Sequence, residues 1–396
     1  MHRYFLLNKK MSTKILNDKV LLVTNIPNPY RIPLFNELNS QFKERNIDFK
    51  VIFASTSESY RKWQLEMSDC QFNWEKLNSR SITISSSESI IYLYNGLVKL
   101  IKQENPNIVI TIGFSFSTMI LWMRSWFRKT KYIIWSGAIY NSHNPDSFLR
   151  RIQRKILIRR ASAFIAYGKL AKDYLVSLGA PGNKTYIAIN TVDTDYFGAE
   201  TALKEIKCDN NPDPKILLFV GYFIERKRID LLLHLVKNLL LKRKDFLLKL
   251  VGDGPDLSRM KELAITMGVE DAVVFDGYKQ KNELPDYFAQ SDCFLFPTEH
   301  DIWGLVLVEA MAAGIPCISS IKAGATNDII INGFNGFALD FTDTTTVAEK
   351  VNYILDNPSA AKKLGQNAAA YITEHVNIQR SAIGFMDAVS CVSDSN

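Results

Sequence analysis

Short apolar runs alternate along the chain with longer stretches in which apolar residues recur at helical spacing. The runs are rich in β-branched residues, and such alternation is typical of βαβ units that build a parallel sheet. The pattern predicts buried strands at 20–24, 49–54, 107–112, 132–135, 164–167, 216–220, 246–251, 272–275, 293–296 and 317–320.

The predicted strands form two series, separated by the polar stretch 208–215 (CDNNPDPK). A chain of 396 residues suits two domains rather than one small fold. We therefore expect an α/β protein with Rossmann-like domains at 1–200 and 201–375. A C-terminal helix at 376–396 is expected to cross back to the first domain.

Composition excludes disordered and fibrous classes, because 47% of the residues are hydrophobic and 22% charged. The longest uncharged stretch, 105–123, has the length of a membrane span, but its small polar residues favour a strand, a turn and a helix. Five widely spaced cysteines without a C-x-x-C pair fit a reducing cytosol. The apolar run in the N-terminal MHRYFLLNKK is too short for a signal peptide. Met1 and Met11 are both candidate start residues.

The net charge of +7 is concentrated in one region. Residues 121–160 contain ten Lys or Arg and one acid, Asp146, so the rest of the chain is slightly acidic. Trp126 and Phe127 accompany these cations, and a helix that includes Leu149 and Ile152 follows. We predict contact with an anionic membrane, at the inner face of the cytoplasmic membrane. The alternative is an ordinary helix with its apolar side in the core; nucleic acid is not expected, because no module for it is present.

Ligands of open parallel sheets bind beyond the carboxyl ends of the strands. The loop after the first strand (TNIPNPYRIP) has no glycine, and Gly252-Asp253-Gly254-Pro255 lacks the third glycine of a dinucleotide motif. A P-loop is absent from the sequence as well. Dehydrogenases and P-loop NTPases are therefore disfavoured.

Strand-end loops of the second domain carry the candidate chemistry. Arg226, Lys227 and Arg228 precede an amphipathic helix, where cations are unfavourable unless an anion such as phosphate binds. The alternative there is a solvated basic loop. Another strand-end loop, 273–280, contains Gly277. This glycine permits close approach of the backbone to a flat ligand, and the alternative is that it simply forms a turn.

The segment 297–316 predicts a helix from Gly304 to Ala313, ended by Gly314 and Pro316. Asp301 would lie just before this helix and Glu309 one turn beyond Leu305. Two carboxylates for sugar and ribose hydroxyls, with free backbone N–H groups for a phosphate, would recognise a nucleotide-sugar. The alternative is a capped core helix with two solvated acids. The N–H groups expected to face the ligand are those of Trp303, Gly304 and Leu305.

These loops resemble the retaining glycosyltransferases of family 4, whose E-x7-E motif corresponds to Asp301-x7-Glu309 with aspartate in the first position. The resemblance implies a GT-B fold, in which two Rossmann-like domains face each other across a nucleotide-sugar cleft. It is strong over most of 185–340 and loose over the first domain. The matching segments are INTVDTDYF, FVGYFIERKRIDLLL, LVGDGP, VVFDGYKQKNELPDYFAQSD and AGATNDIIINGFNGF.

The resemblance also implies roles for individual residues. Lys227 would bind the donor pyrophosphate, and Glu309 would hold the ribose. Asp301 would contact the transferred sugar, together with the backbone amides that follow it. Those amides belong to Ile302, Trp303, Gly304 and Leu305, and the base would be lined by Gly277, Tyr278 and Lys279.

This sequence departs from the family pattern at two points. Tyr222 stands where the family often has a phosphate-binding arginine, and Arg226 is a hypothetical substitute. The family often carries a histidine in a first-domain loop, and His143 is near that place at a different offset. We interpret His143 as a weak candidate for the sugar site, with a solvated loop histidine as the alternative.

The first domain is expected to bind the acceptor. Asn25, Asn28, Tyr30 and Arg31 follow its first strand and would face the cleft, unless the prolines among them merely shape a rigid turn. The predicted activity is transfer of a sugar from a nucleotide-sugar, a UDP-sugar, to a hydroxyl of a glycan or lipid-linked acceptor in surface polysaccharide or glycoconjugate biosynthesis. No cofactor or metal is expected, since no D-x-D-like cluster lies in the loops. The alternatives are a sugar-nucleotide epimerase of the same fold and a non-catalytic nucleotide-sugar-binding subunit.

Overall fold

The computed structural model of the chain describes residues 18–56, 67–83, 90–127, 130–140, 146–205 and 214–394. Two parallel sheets form the centres of two α/β domains, as predicted. The N-terminal strands are β1 (Lys19–Thr24), β2 (Asp48–Phe53), β3 (Asn73–Lys76), β4 (Arg80–Thr83), β5 (Ile90–Leu93), β6 (Ile108–Ile112), β7 (Lys131–Ser136), β8 (Ala163–Ala166) and β9 (Thr185–Ile187). The C-terminal strands are β10 (Lys215–Val220), β11 (Phe246–Val251), β12 (Val273–Gly277), β13 (Cys293–Phe296), β14 (Cys317–Ser320) and β15 (Phe337–Leu339).

Helices cover both faces of each sheet, which is why the strands are apolar on both sides. The N-terminal helices are α1 (Ile32–Lys43), α2 (Leu97–Glu104), α3 (Phe116–Arg124), α4 (Phe148–Ile158) and α5 (Lys169–Ser177), and α6 (Thr194–Glu205) leads into the second domain. The C-terminal helices are α7 (Ile229–Leu239), α8 (Leu257–Met267), α9 (Leu284–Ala289), α10 (Leu305–Ala312), α11 (Thr326–Ile329), α12 (Thr344–Asp356), α13 (Pro358–His375) and α14 (Ile378–Ser393).

Strand order locates the ligand edge of each domain. The first sheet runs β3-β2-β1-β6-β7-β8-β9 and the second β12-β11-β10-β13-β14-β15, while β4 and β5 form a separate antiparallel pair. In the first sheet, successive strands are added on one side of β1 up to β3 and on the other side from β6 onward. The second sheet has the same reversal between β10 and β13. Such switch points open a crevice at the carboxyl ends of the strands. The loops after β1, β10 and β13 are therefore the places where a ligand is expected.

The sequence pattern did not predict β3, β4, β5, β9 and β15, which are three or four residues long and lie at sheet edges or in the separate pair. The uncharged stretch 105–123 forms β6 and the first part of α3, as expected. In the described parts of the chain, no helix is both long and apolar enough to cross a membrane.

The last helix, α14, packs on the N-terminal domain. The ring of Phe385 lies 4.9 Å from that of Trp135 in β7. A side chain at Gly384 would meet the Ile187 carbonyl oxygen at 2.3 Å, so the helix and β9 are in backbone contact. This helix ties the end of the chain to the first domain.

Candidate active site

An ion pair between Lys227 and Asp301 lies at the switch point of the C-terminal sheet. Lys227 closes a short 3-10 turn after β10, and Asp301 lies in the loop after β13. The buried Lys227 ammonium donates to the Asp301 carboxylate, and Arg226 Nη1 lies 3.6 Å from the same group. Burial opposes ionisation of Asp301, but the charges of Lys227 and Arg226 outweigh it and hold its pKa below the usual value. Asp301 is thus an ionised carboxylate at neutral pH.

Hydrogen bonds fix the two loops against each other. The Glu299 N–H donates to the Arg226 carbonyl at 2.8 Å, and the Thr298 hydroxyl donates to the same oxygen at 3.1 Å. Arg226 Nη1 in turn donates to the His300 carbonyl at 3.1 Å. The cations and the carboxylate are therefore held in place by backbone contacts as well as by charge.

The start of α10 is shaped by Gly304. Its φ is +101°, and a side chain there would meet Phe296 Cε1 at 2.7 Å, so only glycine fits. The first N–H groups of a helix have no partner within it, so α10 offers a backbone anion site next to Asp301. The Trp303 N–H contributes to the low pKa of the Asp301 carboxyl. The Trp303 side chain is buried, and that of Ile302 is exposed.

Glu309 lies in the second turn of α10 and differs electrostatically from Asp301. Burial raises its pKa to about 7, and the charge of Lys281 opposes that shift only in part. The Glu309 carboxyl therefore exchanges its proton near neutral pH. Asp301 is therefore ionised at neutral pH while Glu309 is partly protonated, a difference that the spacing of the motif does not predict.

The predicted base-lining segment begins at the last residue of β12. Gly277 has a φ of +70°, and its carbonyl accepts from the Gly252 N–H at 2.8 Å. Lys279 Nζ lies 3.8 Å from Glu283 and 5.6 Å from the centre of the Tyr287 ring. Tyr278 is partly exposed next to them. Tyr222, at the position that departs from the family pattern, is also partly exposed.

In the N-terminal domain, the loop after β1 is more buried than expected. Asn25 Oδ1 accepts from the Tyr94 hydroxyl at 2.8 Å, and the Asn28 carbonyl accepts from the Arg31 N–H at 2.8 Å. Asn25 and the backbone of Asn28 thus stabilise the turn. The Arg31 side chain is buried next to the partly buried Tyr30. His143 lies outside the described residues.

Contacts between the domains involve residues that the sequence analysis did not single out. Asp328, in the short helix α11, accepts the Lys169 N–H across the domain boundary. A side chain at Gly168 would meet Asp328 Oδ2 at 2.3 Å and Trp303 Cζ3 at 2.4 Å. A side chain at Gly137 would meet the Tyr167 ring at 2.3 Å and Ile302 Cγ2 at 2.8 Å. The loop with Asp301 is therefore in close contact with the strand ends of the first domain.

Within the described residues, no group of three or more His, Cys, Asp or Glu is placed to hold a metal ion. Metal independence stays a prediction. Asp256 pairs with Arg259 at 3.0 Å at the start of α8.

Residues 203–371 match the family model described as "Glycosyl transferases group 1". The N-acetyl-alpha-D-glucosaminyl L-malate synthase of Bacillus anthracis is 32% identical over 185 residues, which cover 47% of this chain and 48% of that protein. A GDP-mannose-dependent alpha-(1-6)-phosphatidylinositol monomannoside mannosyltransferase of Mycolicibacterium smegmatis is 28% identical over 183 residues, covering 44% and 48%. The chain spans about half the length of the curated relatives it matches.

Solved structures match over nearly the whole chain. Anabaena HepE in complex with UDP has a TM-score of 0.73 at 14% identity, covering 94% of this chain and 99% of that one. Sucrose-phosphate synthase of Thermosynechococcus elongatus has a TM-score of 0.75 at 16% identity, covering 96% and 100%. The predicted GT-B fold is thereby confirmed. The chain therefore has a GT-B architecture, and its C-terminal part, residues 203–371, is similar to the glycosyl transferases of group 1.

Proposed function

We propose that the protein is a retaining glycosyltransferase of family 4 that transfers a sugar from a UDP-sugar to a hydroxyl of a glycan or lipid-linked acceptor. The observation that carries this proposal is the pairing of Lys227 with Asp301 at the switch point, directly before the N-terminus of α10. Relatives are named for transfer of sugars, and similar structures are described as complexes with UDP and UDP-glucose. The matched family and these names favour transfer over the epimerase and binding-subunit alternatives.

The main barrier to transfer is charge separation as the bond between sugar and phosphate breaks. Lys227 and the first N–H groups of α10 are positioned before the reaction, so they stabilise the departing diphosphate without reorganisation. A bound phosphate would compete with Asp301 for the Lys227 ammonium. Asp301, released in part, would then accept from sugar hydroxyls, while Glu309 accepts from the ribose. Residues 277–279 would line the base, and Arg226 would take the place of the arginine replaced by Tyr222.

In retaining transfer, the acceptor hydroxyl attacks on the face from which the diphosphate leaves, and the phosphate oxygen takes its proton. This scheme needs no separate protein base and no metal. It assigns to the N-terminal domain the task of orienting the acceptor. The products belong to surface polysaccharide or glycoconjugate assembly.

Membrane contact is the second part of the proposal and rests on exposed apolar side chains. Phe127 is 86% exposed, and Phe148 and Leu149 in α4 are 77% and 76% exposed. The buried residues of α4 are Leu157 and Ile158, at its end. The alternative interpretation requires the whole apolar side of α4 to lie in the core, and it does not. Arg160 Nε donates to Ser125 Oγ at 2.9 Å, which joins the ends of α3 and α4 into one basic surface. Such a surface suits peripheral binding to anionic lipid at a cytoplasmic membrane face.

A panel of nucleotide-sugars tests the donor function. A donor at about 100 times its Kd stabilises the folded protein by about 2.7 kcal/mol, which appears as a rise in Tm. The expected result is a rise with a UDP-sugar, and transfer to a glycan or lipid-linked acceptor with the anomeric configuration retained by NMR. Conversion of the donor without acceptor would support the epimerase, and binding without turnover would support the non-catalytic subunit.

A further inference from the structure

The Arg31 guanidinium is buried at the carboxyl edge of the N-terminal sheet. The residue is 7% exposed and precedes the first turn of α1. Its side chain reaches the ends of three strands: Thr24 ends β1, Trp135 lies near the end of β7, and Tyr167 directly follows β8. This is the edge where the first sheet has its switch point.

The partners of this cation are neutral. Nη2 donates to the Tyr167 hydroxyl at 2.7 Å, and Nη1 to Thr24 Oγ1 at 3.3 Å. The guanidinium carbon lies 4.6 Å from the centre of the Trp135 ring and 5.5 Å from that of Tyr30. In the described parts of the chain no carboxylate pairs with Arg31, and its Nε is buried without a hydrogen-bond partner.

A buried cation without a counter-charge is costly, and buried charges are normally paired. Aromatic and hydroxyl contacts replace part of the lost hydration and fix the plane of the guanidinium. They leave the charge itself uncompensated. A planar fork held in one orientation, with an unused Nε–H, is suited to paired hydrogen bonds with an oxyanion.

The position of Arg31 relative to the other domain indicates where this oxyanion would belong. The hydroxyl of Tyr167 binds Arg31, and the ring of Tyr167 lies against Gly137, whose other neighbour is Ile302. Ile302 directly follows Asp301. Arg31 is thus on the N-terminal side of the cleft, behind the surface that meets the proposed donor site.

We propose that Arg31 binds an oxyanion of the substrates, a phosphate or a carboxylate, with Tyr167, Thr24 and Trp135 as its positioning residues. The inference rests on the proposed function for the identity of the cleft. The oxyanion comes either from the donor diphosphate or from an anionic acceptor. If it comes from the acceptor, this enzyme uses acceptors that carry a phosphate or carboxylate near the reacting hydroxyl.

Binding measurements on the full-length protein separate these sources. In one arm, calorimetry compares the affinities for UDP and for uridine in the wild type and in Arg31→Gln. In the other arm, inorganic phosphate or L-malate is titrated into protein saturated with UDP. The control is Arg243→Gln, since Arg243 is partly buried, pairs with Asp245 and Asp356, and lies before β11 at the amino end of the C-terminal sheet.

We expect Arg31→Gln to weaken the binding of one anion by at least about tenfold, as for loss of a charged hydrogen bond. Uridine binding by this variant and all affinities of the control variant should be unchanged. Loss in the UDP arm assigns the oxyanion to the donor, and loss in the phosphate or malate arm assigns it to the acceptor. Affinities equal to wild type within twofold in every arm would overturn the inference. So would a wild-type protein that binds none of these anions.

Arg31→Lys and Tyr167→Phe serve if Arg31→Gln does not fold. Arg31→Lys keeps the charge but not the paired contact, and Tyr167→Phe keeps the guanidinium but not its orientation. Both should weaken the same anion several-fold, and wild-type affinity in both would refute the inference. If UDP binds and sugar is transferred but substitution of Arg31 has no effect, the proposed function is supported and the inference is refuted. If anion binding depends on Arg31 but no sugar is transferred, the inference is supported and the proposed function is refuted.

Discussion

Asp328 in the C-terminal domain accepts the backbone N–H of Lys169, the first residue of α5 in the N-terminal domain, at 2.9 Å. The contact places a carboxylate of one domain at the positive end of a helix of the other. Asp328 is itself held from its own domain, because its carbonyl accepts from the Tyr371 hydroxyl at 3.3 Å. The two domains are therefore joined by a specific electrostatic contact.

The Asp328 contact predicts a pH dependence of stability. Burial raises the pKa of Asp328 to about 6, with the Lys169 N–H and charge opposing and the Asp173 charge reinforcing the shift. The folded protein thus holds this proton more tightly than the unfolded chain, so stability falls as pH rises from about 4 to about 6. We expect Asp328→Asn to remove up to about 3 kcal/mol of this fall in the free energy of unfolding measured with urea. Asp343→Asn is the control of opposite sign, because hydrogen bonds from Thr346 lower the pKa of Asp343.

Gly168→Ala should force the domains apart. The added methyl group would overlap both Asp328 and Trp303, which are on the other side of the boundary. We expect a larger radius of gyration by small-angle X-ray scattering and at least about tenfold slower transfer, because misplacement by about 1 Å is enough for such losses. Gly182→Ala is the matched control, since nothing lies within 4 Å of its added methyl. An unchanged radius together with unchanged turnover would show that this contact is not needed for closure.

Single and paired substitutions at Lys227 and Asp301 should separate stability from donor binding. Lys227→Met leaves the Asp301 carboxylate in a shielded place with only Arg226 nearby, and breaking such a pair costs about 3–5 kcal/mol. The double variant Lys227→Met/Asp301→Asn removes both charges and should recover much of that stability in urea unfolding. Transfer should be abolished in both variants. Wild-type turnover in the stable double variant would remove both residues from the mechanism.

Donor affinity should depend on the charge of Glu309. With a pKa of about 7, raised by burial, Glu309 is mostly ionised at pH 8 and mostly neutral at pH 6. If ribose hydroxyls bind the carboxylate, the Kd of the nucleotide-sugar should rise by about tenfold between pH 8 and pH 6. Glu309→Gln should bind weakly at both values. A wild-type Kd that is independent of pH over this range would contradict the role assigned to Glu309.

Membrane binding should depend on Phe148 and Leu149 and on anionic lipid. We expect Phe148→Ser/Leu149→Ser to lower the partition coefficient for anionic vesicles by at least about tenfold in co-sedimentation, since each side chain loses on the order of 1.5 kcal/mol of burial. Leu241→Ser, which changes an exposed residue of the C-terminal domain, is the control. Equal binding to zwitterionic and anionic vesicles would refute the electrostatic part of the proposal.

Local patterns were sufficient for much of the fold and for part of the site. Apolar runs predicted the central strands of both sheets, because a strand buried on both faces must be apolar throughout. Gly314, with its positive φ, ended α10 where the sequence predicted it. The short edge strands escaped prediction because their burial alternates or is incomplete, as in β3.

The sequence by itself determined two α/β domains, a helix start near Gly304 and a basic region that contains aromatic residues. It did not determine which residues meet. Lys227 and Asp301 are 74 residues apart, Asp328 and Lys169 are 159 apart, and Arg31 and Tyr167 are 136 apart. These pairs form because strand order brings distant carboxyl ends together and domain closure joins the two edges. Tertiary structure alone therefore decided that Asp301 is ionised, that Glu309 exchanges its proton near pH 7 and that Arg31 is a buried cation, since protonation and burial depend on neighbours that are remote in the chain.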